Sequence, residues 1–216
     1  MTAGQIQAAV LHGLGETPRY ESFPAPVAGD GDAVVTVAAA ALEPSDRLMA
    51  KGVHYAPDAS PRVAGLDGVG RLDDGTRVAF FLSERPYGGM AEQTLVRRGA
   101  WFAVPDGADD VTAAAVLNPG MAAWKSVVWG ARWRPGRRCS CSARIPAMAL
   151  RASPVALTGS GIDGPPPLTA SAAAYDDLLR QLSTGELMLD VDRVPPADVE
   201  WTWTRDGTDR RTVFVP

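Results

Sequence analysis

Cysteine and histidine are scarce in this chain of 216 residues. The two cysteines, Cys139 and Cys141, are separated by one residue, a spacing that suits neither a structural disulfide nor a zinc knuckle. Only His12 and His54 are left to complete a metal site, and no other motif supports one. The sequence therefore predicts a protein without a bound metal.

Long apolar runs and runs of basic residues are also lacking. No stretch reaches the roughly 18–20 apolar residues of a membrane span. The N-terminal segment has no basic region followed by an apolar core, so it does not resemble an export signal. A net charge of −4 disfavours a nucleic-acid surface. Together these absences predict a cytoplasmic protein that binds neither membrane nor nucleic acid.

Short strands separated by turns are indicated over the first hundred residues. Apolar segments at 8–12 and 33–42 are typical of buried strands, and Asp73–Gly75 has the turn chemistry of a hairpin between two further strands. Met90–Val96 and Trp101–Val104 continue the pattern. The high content of turn formers, 22 glycines and 18 prolines, favours a barrel or sandwich over a helical bundle.

Helical patterns begin at Asp109, whose carboxylate suits the positive end of a helix dipole. Asn118–Gly120 predicts an interruption, because proline cannot continue the hydrogen-bond ladder, and a helical pattern resumes over Met121–Trp129. A second helix is predicted over Ala170–Leu182, with Gly185 placed to end it. Two short strands close the chain, Leu187–Val191 and Thr212–Val215.

Several separated motifs follow the order of one enzyme family. They are AAVLHGLGETPRY (8–20), ALEPSDRLMAKG (41–52), VAGLDGVGRLDDGTRVAFF (63–81), YGGMAEQTLV (87–96), VTAAAVLNPGMAAW (111–124), AAAYDDLLRQLSTGELMLDVDRVPPADVE (172–200) and RRTVFVP (210–216). On these residues the chain resembles the medium-chain dehydrogenase/reductase superfamily, in its quinone-oxidoreductase-like branch. The resemblance covers about three quarters of the chain.

The resemblance implies a mainly β fold with some α structure. Residues 1–130 would form a GroES-like β-barrel catalytic domain, and 151–216 would complete it with a C-terminal helix and strands. The family inserts a Rossmann domain before that last part, and here an irregular junction at 131–150 would replace it. Family members transfer a hydride from NADPH to a quinone, enone or similar carbonyl.

Two positions separate the chain from the zinc-dependent members of the superfamily. Glu43 stands where those enzymes place a cysteine, and Leu66 stands where they place a histidine. A leucine side chain has no atom that binds zinc. The resemblance is therefore to the zinc-independent branch, an alcohol dehydrogenase-like enzyme without catalytic zinc.

After Pro135-Gly136 the family continues with a strand and a glycine-rich turn, but this chain continues with Arg137–Ala143. The codons GAG ACG GTG CTC GTG CTC GGC GC encode a typical family strand, and read one base later they encode RRCSCSA, the sequence of 137–143. We interpret this segment as the first Rossmann strand read out of frame. The other interpretation is an irregular surface loop. Because the family pattern returns near Ala149, the βαβ units of roughly 30 residues cannot fit between.

Gly159–Gly164 spells G-x-G-x-x-G, the fingerprint of dinucleotide-binding turns. In such turns a helix opens at the second glycine and presents its N–H groups to the pyrophosphate. Here Pro165–Pro167 follows, and prolines have no N–H to donate. The motif is better interpreted as a turn after a strand over Pro154–Thr158 than as a nucleotide site.

The resemblance implies a few site residues. Asp46 corresponds to an aspartate at the family's cleft near the nicotinamide, although a helix cap or turn is an equal interpretation. Asn118, Gly120 and Met121 correspond to a corner that touches the cofactor, NADPH, and a helix N-terminus there would suit a phosphate. Tyr55, or His54, is a candidate proton donor to a reduced quinone.

The predicted function is therefore that of an NADPH-dependent oxidoreductase for quinones or activated carbonyls, inactive in this truncated form. The alternatives are a non-catalytic β-barrel remnant that binds a small molecule or nothing, and a shortened nucleotide-binding protein that uses Gly159–Gly164. Loss of the inserted domain predicts exposed apolar helix faces, and hence self-association. The residues expected on those faces are Val116, Val127, Leu178 and Leu182.

Overall fold

The computed structural model describes residues 4–53, 61–125, 167–205 and 210–216. Two compact units divide the chain: unit 1 comprises Met1–Ala115 with Asp190–Pro216, and unit 2 comprises Val116–Leu189. The predictions for His54 and Tyr55, for 131–150 and for Gly159–Gly164 lie outside the described residues.

Among the described residues of unit 1, ten strands form two sheets. In chain order they are β1 (Gln5–Leu11), β2 (Arg19–Pro24), β3 (Asp32–Ala41), β4 (Arg62–Val63), β5 (Asp67–Arg71), β6 (Arg77–Phe81), β7 (Gln93–Arg97), β8 (Trp101–Ala103), β9 (Val191–Val194) and β10 (Arg211–Phe214). A three-stranded sheet has the order β2-β1-β4. A seven-stranded sheet has the order β8-β6-β5-β3-β10-β9, with β7 also paired to β3.

The pairing is antiparallel throughout the described sheets except between β9 and β10, which run parallel. A single bridge between Ala8 and Ala91 joins β1 to the segment before β7. Strand β10 pairs with β3 at Ala40 and Ala41, so the end of the chain completes the sheet that its first hundred residues begin.

The core of unit 1 consists of small and β-branched side chains with a few aromatic rings. Val35, Val78, Phe80, Val96 and Phe214 all belong to it and are almost completely buried. Alternation along β3 places every second residue in this core, as expected for a strand with one face turned inward. The predicted hairpin is confirmed, with Asp67–Arg71 paired to Arg77–Phe81.

The described part of the chain contains four α-helices: α1 (Pro44–Ala50), α2 (Asp110–Trp124), α3 (Leu168–Thr184) and α4 (Val199–Thr204). The predicted helix start at Asp109 is confirmed, and Asp109 also accepts a hydrogen bond from the Thr112 N–H at 2.9 Å, which caps α2. Gly185 ends α3 with a φ of 75°, as its position in the sequence predicts. The mainly β fold with α structure is thus confirmed. None of the helices in the described ranges is both long and apolar enough to cross a bilayer.

Two local predictions are wrong. The helix does not break at Asn118–Gly120, because α2 runs through Pro119 without interruption. Leu187–Val191 is not a strand, and the strand begins only at Val191. Leu187 is buried and donates its N–H to the Gln181 carbonyl at 3.0 Å, so this apolar residue closes the end of α3 instead of extending a sheet.

The expected exposure of the helix faces in unit 2 is also wrong. Val116 and Leu178 are buried, and Leu182 is half-buried. Gly120 explains how Val116 and Leu178 become buried, because a Cβ at this position would lie 2.8 Å from Leu178 Cδ1 and 3.0 Å from Val116 Cγ2. The missing side chain lets α2 and α3 pack closely. Val127 lies outside the described residues, and self-association is still only a prediction.

Candidate active site

Asp46 occupies the first turn of α1 and is buried, with 3% of its surface exposed. Its Oδ2 accepts a hydrogen bond from the Glu43 N–H at 2.8 Å, and its Oδ1 accepts one from the Leu66 N–H at 3.0 Å. Pro44 supplies the fixed φ that suits a helix start and has no N–H to leave unpaired. The two interpretations of Asp46 are therefore compatible, since it caps a helix and also lines a cleft.

Burial raises the pKa of the Asp46 carboxyl to about 7, and the nearby carboxylate of Glu43 acts in the same direction. The hydrogen bonds from the Glu43 and Leu66 amides and the charge of Arg211 act against this shift. Each carboxyl oxygen already accepts a hydrogen bond from one amide N–H. When the carboxyl is protonated, its O–H can therefore donate a hydrogen bond to a third group. Near neutral pH, this side chain can act as a hydrogen-bond donor or as an acceptor.

Gly65 is the residue that brings the Leu66 amide to Asp46. Its φ is +97°, and a Cβ there would lie 2.8 Å from the Met90 N atom. Any other residue at this position would require local rearrangement, because its backbone would be strained and its Cβ would collide with the backbone of Met90. The turn thus fixes the second amide that holds the Asp46 carboxylate.

The neighbour of Asp46 at the start of α1 is Glu43, which is 4% exposed. Arg211, in β10, forms an ion pair with the Glu43 carboxylate and is itself 7% exposed. Burial raises the pKa of Glu43, and the charge of Arg211 opposes that shift. In the sequence, Glu43 stands out only as the replacement of a cysteine, and nothing there indicates this pair. The two residues are 168 positions apart, so no local pattern connects them.

A cleft of about 490 Å³ lies beside Asp46 within unit 1. Its apolar wall includes Leu11, Met49 and Leu66. Its polar wall includes Arg62, Ser83, Glu84 and Arg85. Over the described ranges, no cluster of three or more histidine, cysteine or acidic side chains is arranged to hold a metal.

The predicted cofactor residues do not lie at a helix end. Asn118, Gly120 and Met121 are in the interior of α2, where backbone N–H groups bond within the helix. The Cα of Gly120 faces Leu178 and Val116 instead of an open surface. The proposed anion contact through a helix N-terminus at these residues is therefore wrong. A side-chain contact of Asn118 or Met121 with a cofactor stays a prediction.

No family model matches the sequence, and no curated protein matches it either. Solved structures do match in fold. A probable oxidoreductase from Mycobacterium abscessus aligns with 99% of this chain and 100% of its own, at 16% identity and a TM-score of 0.73. A putative NADPH:quinone reductase from Bacillus thuringiensis aligns with the same shares, at 14% identity and a TM-score of 0.72.

A third similar structure is a cobalt- and zinc-bound thermostable alcohol dehydrogenase from Pyrobaculum aerophilum. It aligns with 99% of this chain and 100% of its own, at 14% identity and a TM-score of 0.71. The fold implied by the sequence resemblance, that of oxidoreductases of the quinone reductase and alcohol dehydrogenase kind, is thereby confirmed. At these identities the likeness shows the fold.

Proposed function

We propose that the cleft in unit 1 binds a quinone or another conjugated carbonyl, the substrate class of an NADPH:quinone reductase, and does so without turnover. Asp46 carries this proposal. It is a buried carboxyl at the cleft wall whose pKa is about 7. In its protonated form it donates a hydrogen bond to a carbonyl oxygen, while both of its oxygens stay bonded to the amides of Glu43 and Leu66. The apolar wall suits a flat, conjugated ring.

We infer the absence of turnover from the residues that would have to bind the cofactor. NADPH would supply the hydride in an active family member. Gly120 packs against Leu178, and the amides of α2 bond within the helix, so the backbone at these candidate residues has no N–H to offer a cofactor phosphate. Arg137–Ala143 replaces the glycine-rich turn in the sequence, and the interval before Ala149 is too short for a Rossmann domain. We infer a truncated, zinc-independent relative that keeps substrate recognition.

The alternative of an active NADPH-dependent reductase is tested by titration. NADPH fluorescence is followed as protein is added, and duroquinone, whose ring positions are all substituted, is added next. We expect no saturable NADPH binding and no consumption. Consumption of NADPH would show that the protein is an active reductase and would contradict the proposed absence of turnover. If NADPH binds, the variant Gly161→Trp decides whether Gly159–Gly164 is responsible, because binding that survives it excludes this segment.

The role of Asp46 is tested by the pH dependence of duroquinone binding, measured by quenching of tryptophan fluorescence. Above pH 7 the wild-type carboxyl loses its proton, and we expect affinity to fall about three- to tenfold between pH 6 and pH 8. Asp46→Asn carries an NH2 donor at every pH, so its affinity should not change over this range. A wild-type affinity that is equally constant would contradict the proposed contact.

A further inference from the structure

We propose that Glu43 and Arg211 are positioning residues for Asp46, and that their two charges set the pH range over which the cleft holds its carbonyl ligand. This inference rests on the proposed function, because it concerns the regulation of the same contact. Neither Glu43 nor Arg211 lines the cleft, so each acts on the ligand through Asp46. Three observations support this role: the hydrogen bonds between Glu43 and Asp46, the place of Arg211 in the sheet, and the burial of all three side chains.

The start of α1 joins Glu43 to Asp46 at two points. The Glu43 N–H donates to Asp46 Oδ2 at 2.8 Å, and the Asp46 N–H donates to the Glu43 carbonyl at 3.1 Å. The two side chains also adopt the reciprocal arrangement of a capping box, in which the Glu43 carboxylate lies beside the backbone N–H of Asp46. A movement of Glu43 would therefore move the carboxyl group that lines the cleft.

Strand β10 places Arg211 opposite Glu43. Val213 pairs with Ala41 in the antiparallel contact of β10 with β3, and the same register, continued by two residues, joins Arg211 to Glu43. On its other side β10 pairs with β9, and the Arg211 N–H donates to the Asp190 carbonyl at 2.8 Å. Because sheet hydrogen bonds fix the backbone of Arg211, its ion pair with Glu43 anchors the start of α1 to the sheet.

The side chains of Glu43, Asp46 and Arg211 are all buried, so their charges act on each other with little screening by water or salt. Arg211 contacts Glu43 and favours its charged carboxylate. The negative charge of Glu43 raises the pKa of Asp46, and the positive charge of Arg211 lowers it. These two charges have a larger effect on Asp46 than the charged groups on β4, at the start of β5 and in the segment before β7, which are Arg62, Asp67, Glu84 and Arg85.

Removal of the charge of Glu43 tests this role. Glu43→Gln keeps the size of the side chain and an acceptor oxygen, but the positive charge of Arg211 is then unopposed. We expect the pH midpoint of duroquinone affinity to fall by about one unit. At pH 7 the variant should bind duroquinone about two- to fivefold more weakly than wild type, and at pH 5, where Asp46 is protonated in both proteins, the two should bind equally. An unchanged midpoint would overturn the inference.

The double variant Glu43→Gln with Arg211→Gln separates charge from packing. A packing defect in Glu43→Gln would be enlarged by the second substitution. If the charges act as proposed, Arg211→Gln removes the charge that disfavours a proton on Asp46, so the midpoint should rise again and lie between those of Glu43→Gln and wild type. A midpoint at or below that of Glu43→Gln would refute the role of the charges.

The double variant also decides the question if Glu43→Gln does not fold, because it buries no unpaired charge. The charge of Glu43 has a larger effect on the pKa of Asp46 than the charge of Arg211 has. The midpoint of the double variant should therefore lie below that of wild type. A midpoint equal to that of wild type would contradict the inference.

A measurement without ligand distinguishes failure of this inference from failure of the proposed function. Carbon-13 NMR follows the Asp46 carboxyl, whose signal is assigned by its absence in Asp46→Asn, and gives the midpoint of each variant directly. Glu21→Gln is the matched control, since Glu21 contacts His12 at 2.8 Å and does not line the cleft, and it should keep the wild-type midpoint.

If the NMR midpoints shift as expected and duroquinone does not bind, the positioning role stands and the proposed function fails. If wild type binds duroquinone with the expected pH dependence and Glu43→Gln shifts neither midpoint, the proposed function stands and the positioning role fails.

Discussion

Arg211 forms a buried ion pair with Glu43, and this pair joins the last strand to the start of α1. Removal of one partner leaves the other charge buried and uncompensated, which costs about 3–5 kcal/mol of folding free energy. We therefore expect Glu43→Leu and Arg211→Met each to destabilise the protein by about this amount in urea denaturation.

The double variant separates a charge effect from a packing effect. Because Glu43→Leu with Arg211→Met removes both charges, its cost should be well below the sum of the two single costs. A double-mutant cycle measures the difference as a coupling energy. Strictly additive costs would show that each side chain contributes through packing alone, and the ion pair would then have no net role.

The buried carboxyl of Asp46 predicts an unusual dependence of stability on pH. Its pKa is about 7 in the folded protein and 3.8 when exposed, so between these values the folded state binds one more proton than the unfolded state. The free energy of unfolding therefore falls as pH rises through this window, by up to about 4 kcal/mol, and this contribution is constant above pH 7. Urea denaturation at pH 4 to pH 8 measures it.

Asp46→Asn should abolish this contribution, since the amide does not titrate. It also replaces one acceptor by an NH2 group that faces an amide N–H, so we expect an added loss of about 1–3 kcal/mol at low pH. The exposed carboxylate of Asp74 offers a control, because Asp74→Asn leaves the Asp46 contribution in place. An identical slope in wild type and Asp46→Asn would contradict the raised pKa.

Arg77 connects β6 to the start of α2. Its guanidinium group forms an ion pair with Asp110 and donates to the carbonyls of Pro105 at 2.8 Å and Ala108 at 2.6 Å. Because the arginine side chain is only 11% exposed, these bonds are poorly replaced by water once it is gone. We expect Arg77→Met to lower the free energy of unfolding by about 2–3 kcal/mol.

Arg71 is the matched control, because it lies directly opposite Arg77 in the β5–β6 pair. It is exposed, and its Nη1 donates only to the Gly75 carbonyl at 3.3 Å. Arg71→Met should therefore change stability by less than about 0.5 kcal/mol. Asp110→Asn, which leaves the two carbonyl contacts of Arg77 intact, should have an intermediate effect. Equal losses from Arg77→Met and Arg71→Met would refute the proposed role of Arg77.

The sequence predicts those parts of the fold whose signals are local. The Asp73–Gly75 hairpin, the Asp109 cap and the Gly185 helix end all depend on residues close in sequence, and each is found. The predicted helix interruption at Pro119 is wrong because the burial of the neighbouring side chains outweighs the local preference of proline for a helix end. The run at 113–117 is fully buried, and this packing compensates for the one backbone hydrogen bond that proline removes.

The candidate site was predictable only in part. Asp46 is recognised through its motif, and its position at the cleft wall follows from α1 and the turn at Gly65. The partner of Glu43 is Arg211, which only the complete sheet brings near, so no pattern in the sequence indicates it. The burial of Arg62 was not predictable either, because a lone arginine in a short strand is typical of the protein surface, whereas Arg62 is 8% exposed.

Gly120 and Leu178 form a complementary contact between α2 and α3 in unit 2. Leu178→Ala removes a buried side chain that is 5% exposed and should cost about 2–5 kcal/mol. Gly120→Ala adds a methyl group that meets Leu178 at 2.8 Å, so its crowding offsets the gain of about 1 kcal/mol in helix propensity. In the Leu178→Ala background the crowding is gone, and Gly120→Ala should then stabilise the protein by about 1 kcal/mol.

Thermal or urea unfolding of wild type, both single variants and the double variant measures this coupling. Met188 is 80% exposed, which makes Met188→Ala the matched background in which Gly120→Ala should act as it does in wild type. If Gly120→Ala has the same effect in all three backgrounds, the two helices do not depend on this contact. The glycine would then be explained by something other than close packing against Leu178.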